Sequence, residues 1–358
     1  MKKGFLSNLL LFSGVHALVD ASCAALLFGM YKAGSMETGR FVFLLVLYNV
    51  LAFALQAPLG FLSDRRKRAY DFSSMGCLLI AAALFASAYP PAAAGLAGIG
   101  NALFHVGGGT VALKIKPGRA SVPGIFVAPG ALGLFLGTLV GNRGFFDPWP
   151  FILSLLICAS AILSMGRFGV FLIAEGGAKP SRSVKYLEPV ILLMAAAIAL
   201  RALTGMAVDF PWKADISLMA GLTLAVVLGK GLGGVLADRF GWTVTSVAGL
   251  LLSAPLLLYG FEYPFLGMAG LFLFNMTMPV TLVTLSNVLP GMEGFAFGLS
   301  TLAIISGSFP MFTELKYAFY NKGVILAAVL VSAGLVYAGL RFYFKASDRV
   351  GRGLARGE

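Results

Sequence analysis

The chain is a succession of apolar runs, each about 20 residues long, separated by little more than a turn. A helix rises about 1.5 Å per residue, so about 20 apolar residues cross the roughly 30 Å of hydrocarbon in a bilayer. Splitting at charges, prolines and glycine clusters gives twelve such segments, at 6–30, 40–63, 71–89, 92–113, 121–142, 149–173, 186–209, 214–236, 242–261, 264–286, 292–312 and 321–344. No water in the bilayer core can satisfy an exposed backbone, so this pattern predicts an all-α membrane protein of twelve transmembrane helices. Composition agrees. Only 12% of the 358 residues are charged and 59% are hydrophobic, too much apolar surface for a water-soluble fold to hide.

Met1-Lys2-Lys3 and the apolar run behind it have the outline of a signal peptide, and the run reaches Cys23 as a lipoprotein signal would. Asp20, however, stands where a small or apolar residue belongs, and the apolar stretch continues to Met30, so the run reads as an uncleaved first membrane segment. Cys23, Cys77 and Cys158 all lie in apolar runs without metal-ligand spacing and read as buried thiols. There is no His-Glu-x-x-His, phosphate loop or Gly-x-Ser-x-Gly, and Gly229-Lys230-Gly231 lacks the Walker spacing. The expectation is therefore no enzyme, no metal, no cofactor and no drive by ATP.

Lysine and arginine placement sets the expected topology. With the N-terminus inside, Lys2, Lys3, Arg65, Arg66, Lys67, Arg68, Lys114, Lys116, Arg119, Arg167, Lys179, Arg182, Lys185, Arg239, Arg341, Lys345, Arg349, Arg352 and Arg356 fall on the cytoplasmic side. Lys32, Arg40, Arg143, Lys213, Lys316 and Lys322 fall outside. This asymmetry places both termini in the cytoplasm and the chain in the inner membrane. The net charge of +12 is then loop charge, and no basic stripe interleaved with aromatics points to nucleic acid.

The chain also repeats. The second segment runs into Pro58-Leu-Gly60-Phe-Leu-Ser-Asp64-Arg65 and the eighth into Leu232-Gly-Gly234-Val-Leu-Ala-Asp238-Arg239, an offset of 238 − 64 = 174. Pro117-Gly118 and Pro290-Gly291 end the fourth and tenth segments at an offset of 173. A constant offset near half the chain length, with both loops on the cytoplasmic side, means duplication in parallel orientation.

Those loops resemble the Gly-x-x-x-Asp-Arg-x-Gly-Arg motif of the major facilitator superfamily. The first copy reads Gly60-Phe-Leu-Ser-Asp64-Arg65-Arg66-Lys67-Arg68, with Lys67 at the second glycine, and the second reads Gly234-Val-Leu-Ala-Asp238-Arg239-Phe240-Gly241-Trp242. The resemblance implies two pseudo-symmetric six-helix halves, residues 1–174 and 186–358 with a short basic tail, joined by a cytoplasmic linker at 175–185. It implies a conformational latch of Gly60, Asp64, Arg65, Arg68, Gly234, Asp238 and Arg239, closed when the cavity opens outward. His16-Ala-Leu-Val-Asp20, Gly100-Asn-Ala-Leu-Phe104-His105-Val-Gly-Gly108 and Arg201-Ala-Leu-Thr-Gly205 further resemble the fosmidomycin-resistance-like branch, although Val106 replaces an expected proline. That branch implies alternating-access, proton-coupled efflux of a small organic solute. The alternatives are a gradient-driven importer or facilitator of an anionic metabolite, and a non-transporting membrane receptor or enzyme on the same fold. The implied partners are solute, protons and lipid, with a monomeric chain.

Ionisable groups within membrane segments are the functional candidates, each costing about 2.5–3.5 kcal/mol to insert. Asp20 lies deep in the first segment with His16 one turn earlier on the same face, a candidate proton-coupling pair. Arg201 in the seventh is read as either pairing with Asp20 or binding an anionic substrate. Lys230 maps by the repeat onto Gln56, and both are read as lining a cavity, together with Asn49, Asn101, His105 and Asn275. Gly130, Gly133, Gly137 and Gly141 share one face of the fifth segment and predict close helix packing, without the proline that the superfamily's antiporters usually carry there. A reporter active only in the cytoplasm, fused after Glu358, is expected to be active, and one inserted between Arg143 and Pro148 to be silent. The opposite pattern overturns the topology.

Overall fold

The computed structural model describes residues 2–33, 36–143, 147–167 and 187–356, and the side chains of 4–32, 36–143, 147–167 and 187–346. The linker expected at 175–185 lies outside the described residues. Twelve described helices are long and apolar enough to cross a membrane: α1 (Gly4–Lys32), α2 (Thr38–Arg66), α3 (Ala69–Ala88), α4 (Pro90–Ile115), α5 (Ser121–Gly141), α6 (Trp149–Arg167), α7 (Leu187–Ala207), α8 (Ile216–Phe240), α9 (Trp242–Tyr259), α10 (Pro264–Val288), α11 (Glu293–Phe312) and α12 (Lys322–Ala346). No strand occurs among the described residues. Large apolar side chains such as Phe265, Ile157 and Leu192 stand 80%, 70% and 68% exposed. In water such a surface would be a liability, and in lipid it is the solvated face. This is an all-α, multi-pass membrane protein.

Two of the twelve helices are interrupted, each next to a proline. α2 consists of Thr38–Ala54 and Gln56–Arg66, and Pro58 cannot donate to the carbonyl of Ala54. α10 consists of Pro264–Asn275 and Met278–Val288, and Pro279 cannot donate to the carbonyl of Asn275. α5 carries Pro129 in its interior and remains continuous. This corrects the expectation that α5 lacks a proline, because Pro129 directly precedes Gly130.

The chain divides into two compact units. Unit 1 is 1–115, 125–173 and 292–302, and unit 2 is 116–124, 174–291 and 303–358. Each unit thus keeps one half of the duplicated sequence and takes in a short segment of the other. In unit 1, α4 is the most buried helix, and small residues let it approach its neighbours closely. A Cβ at Gly107 would strike the Ala69 carbonyl and Ser73 of α3, and one at Gly100 would strike Ile80. The α5 glycine face packs on α1 as its spacing predicts: Gly133 against Ala17, Gly137 against Ala21 and Gly141 against Ala25 and Phe28. In unit 2, Gly229 and Gly233 of α8 lie against α10 at Phe272 and Met276.

The repeat extends to backbone conformation. Gly118 and Gly291 have φ of +76° and +78°, matching turns after α4 and α10. Gly241 has φ +99° at the motif's second glycine, and Lys67, at the same position of the first copy, has φ +54°. Lys67 is the one non-glycine described residue with positive φ, and it ends α2 in the left-handed region. A left-handed non-glycine residue costs about 1–2 kcal/mol, partly offset by the smaller entropy a lysine loses on folding. Lys67→Gly is expected to raise thermal stability by about 0.5–1 kcal/mol in detergent. Gly137→Leu is expected to lower it by more than that, because the side chain has only the α1 backbone to displace. Unchanged melting of both variants overturns this reading.

Candidate functional site

The sequence contains two histidines, and they meet in the core of unit 1. His16 of α1 and His105 of α4 approach through their Nε2 atoms at 2.9 Å, with ring planes at 87°. Asp20, one turn along α1, lies between them: its Oδ2 is 3.2 Å from His16 Nε2 and its Oδ1 is 3.7 Å from His105 Nε2. The Nδ2 amide of Asn101 donates to Asp20 Oδ1 at 3.1 Å. His16, His105 and Asp20 are 5%, 12% and 20% exposed, so the carboxylate is the group that reaches outward. Gly130 of α5 closes the far side, where any Cβ would collide with His16 Nε2 and Asp20 Oδ2.

Local backbone chemistry orients both rings. Pro129 has no N–H for the Ile125 carbonyl, which instead accepts from Ser13 Oγ at 3.4 Å. The next carbonyl, Phe126, lies 2.8 Å from His16 Nδ1. His105 Nδ1 lies 2.9 Å from the Asn101 carbonyl one turn earlier in α4. A carbonyl can only accept, so each Nδ1 carries a proton, and in the neutral form of either ring the lone pair is on Nε2. The sequence paired His16 with Asp20. It placed Asn101 and His105 in a separate substrate-binding set, whereas the structure joins all four.

Arg201 of α7 lies in unit 2, 8% exposed. Its Nη2 donates to the Phe274 carbonyl at 3.2 Å, and its guanidinium lies 5.2 Å from the Phe274 ring centroid. Phe274 is next to the break in α10, and Thr277 Oγ1 donates to the same carbonyl at 2.9 Å. Arg201 makes no ion pair with a described carboxylate of its own unit, and its Nε has no hydrogen-bond partner. Within its own unit the Asp20 carboxylate binds His16, His105 and Asn101, and within the other the Arg201 guanidinium binds a backbone carbonyl.

The two motif aspartates act as helix caps. Asp64 accepts from the backbone N–H groups of Gly294 at 3.0 Å and Phe295 at 2.8 Å, at the start of α11. Asp238 accepts from Ala120 at 2.9 Å and Ser121 at 3.0 Å, at the start of α5. Donors and acceptors alike are displaced by 174, since 294 − 120 = 295 − 121 = 238 − 64. The first turn of a helix has free N–H groups and a positive end, which is what a carboxylate fits. Gly60 and Gly234 let the partner backbones in: a Cβ on either would strike the Gly294 or Ala120 carbonyl. The motif arginines do not join the caps. Arg65 lies 4.8 Å over the Phe61 ring, Arg239 lies 5.3 Å over Phe240, and Arg68 makes a solvated pair with Asp71 at 3.7 Å.

The remaining candidates lie on α2 in unit 1 and on α8 and α10 in unit 2. Asn49, Gln56 and Asn275 each turn their amide back to the carbonyl one turn earlier in their own helix. Gln56 is 1% exposed, its backbone carbonyl backs onto Gly298, and its side-chain Oε1 is buried without a hydrogen-bond partner. Lys230 is half-buried on α8, where its carbonyl faces Gly124, again at the 174 offset from Gln56 and Gly298. Sequence reasoning missed Glu293, which pairs with Lys114 at 3.3 Å, and the roles of Pro129 and Gly130. A conspicuous Pro-Gly within an apolar segment was the available signal for the last two.

No protein-family model and no curated protein matches the sequence. Among solved structures, the chain is similar to the E. coli fucose:proton symporter FucP, at 13% identity and a TM-score of 0.60, over 96% of this chain and 99% of that one. A second structure, of the major facilitator superfamily transporter FucP in the outward conformation, matches with the same identity, coverage and TM-score. Twelve membrane helices, paired helix caps at a fixed offset and this likeness agree that the chain has the major facilitator fold.

Proposed function

We propose that this chain is a secondary active transporter that carries a small organic anion by alternating access and couples it to a cation held at the Asp20 cluster. The observation that carries the proposal is Arg201. A buried guanidinium inside a membrane segment is costly without a counter-charge, and among the described residues of its own unit this one is held by a backbone carbonyl and an aromatic face. Its unpartnered Nε leaves part of the guanidinium fork for a carboxylate or phosphonate oxygen. Asn275, next to the same α10 break, and Lys230 of α8 supply further donors in the proposed site.

The fold supports the transport class, and the caps at Asp64 and Asp238 are the contacts proposed to form and break in each cycle. The proton is the cation named by the sequence's likeness to proton-coupled efflux carriers, and export is the direction which that likeness favours. Proteoliposomes with the cation gradient imposed in either sense separate export in exchange from import in company.

In a thermal-shift panel of small carboxylates, phosphonates and quaternary ammonium compounds, the stabilising ligands are expected to be anions. Arg201→Ala is expected to abolish their binding and flux. Arg201→Lys should weaken both about tenfold or more, because a point charge cannot replace the planar fork. Normal flux in Arg201→Ala, or a lipophilic cation as the ligand, overturns the proposal. Asp64→Asn and Asp238→Asn are expected to slow flux severalfold at near-normal expression. Wild-type flux in both variants removes the caps from the cycle.

A further inference from the structure

The geometry points to a divalent transition-metal site made by His16, His105 and Asp20 in unit 1. Three ligand atoms converge there: the two Nε2 atoms and the Asp20 carboxylate all lie within 4.8 Å of one another. Ligands about 2.0–2.1 Å from a tetrahedral ion stand roughly 3.3 Å apart. The two Nε2 atoms stand 2.9 Å apart, and each faces its own carboxylate oxygen, His16 at 3.2 Å from Oδ2 and His105 at 3.7 Å from Oδ1, so both imidazoles and either oxygen lie within reach of one ion.

The protonation pattern makes the convergence meaningful. With both Nδ1 atoms donating to carbonyls, two Nε2 lone pairs face each other at 2.9 Å beside a carboxylate. Three acceptors around one point repel unless something positive sits among them. A single proton lies along one edge and leaves the other two unserved, whereas a metal ion at the centre serves all three. A metal-ligating histidine almost always donates its other ring nitrogen to a carbonyl or carboxylate, and here both do. The carboxylate is braced in turn by Asn101. Two imidazoles and one carboxylate suit zinc, cobalt, nickel, iron or manganese, and disfavour magnesium, calcium and copper(I). Gly130, having no Cβ, lets α5 close over His16 Nε2 and Asp20 Oδ2, and partly exposed Asp20 leaves a fourth position for water or solute.

This inference rests on the reading of the Asp20 cluster as the cation site and assigns it a metal ion in place of the proton. Its test is equilibrium binding and needs no transport, so it stands or falls separately from solute flux. The full chain, purified in detergent with every affinity tag removed, is titrated with cobalt(II) and then competed with zinc(II). The expected result is one cobalt per chain, with the intense visible bands of a four-coordinate ion, displaced by zinc at micromolar concentration. Zinc should also raise the melting temperature. Because the chain has two histidines in all, histidine-dependent binding reports on this site alone.

His16→Gln and His105→Gln should each weaken binding by about a hundredfold or more, and Asn101→Ala by about tenfold. Gly130→Ala, which keeps all three ligands and fills the space beside them, should also weaken it, and this guards against misfolding of the histidine variants. Arg201→Ala should bind cobalt as wild type does. Absence of saturable cobalt or zinc binding below about 0.1 mM, or binding that survives loss of both histidines, overturns the site and leaves the pair sharing a proton.

Discussion

In a bilayer, a backbone carbonyl that loses its helical donor must find another inside the protein, and the chemistry of this chain gathers where prolines create that need. Pro129 takes the donor from Ile125, and Ser13 and His16 of α1 bond to the Ile125 and Phe126 carbonyls. Pro279 breaks α10, and Arg201 and Thr277 bond to the Phe274 carbonyl beside the break. In the first case the carbonyl next to the one that Pro129 deprives fixes an imidazole tautomer. In the second it holds a guanidinium deep in apolar surroundings. The polar groups of both units are therefore placed by backbone requirements before any ligand is considered.

The two units use this principle differently on the same duplicated frame. α4 and α10 correspond at an offset of 173, so Pro279 answers to Val106. α4 runs unbroken through Val106, and its side chains Asn101 and His105 form an acidic, imidazole-rich cluster with α1. α10 breaks, and its backbone carbonyl receives a cation from α7. The outcome is an acidic cluster in unit 1 and, in unit 2, a guanidinium held by a backbone carbonyl. The scaffold remains symmetric elsewhere: Asp64 and Asp238 cap helices in the same way, and the glycines that admit the partner backbones recur at the same offset.

The duplication also shows where sequence drift has a physical cost. Gly241 takes a positive φ without strain, and Lys67, at the same position of the first copy, takes a positive φ with a side chain attached. The arginines of the motif have drifted further in role, lying over their own aromatic neighbours while the aspartates alone hold the caps.

The sequence by itself determined the twelve helices, the parallel repeat, the motif aspartates and the close packing of α5. All of these follow from local hydropathy, fixed offsets or glycine spacing along one helix. It also picked out Asp20, His16 and Arg201, because a charge in an apolar run is conspicuous wherever it ends up. It did not join His105 to Asp20, since residues 85 apart on two helices carry no shared spacing, and for the same reason no metal pattern was legible. It gave the depth of Gln56, because depth in the membrane can be counted along a helix, while the direction a residue faces depends on its neighbours. Only the tertiary structure could turn two separated histidines into facing lone pairs, because ring orientation is set by carbonyls from α5 and α4 that α1 meets only once folded.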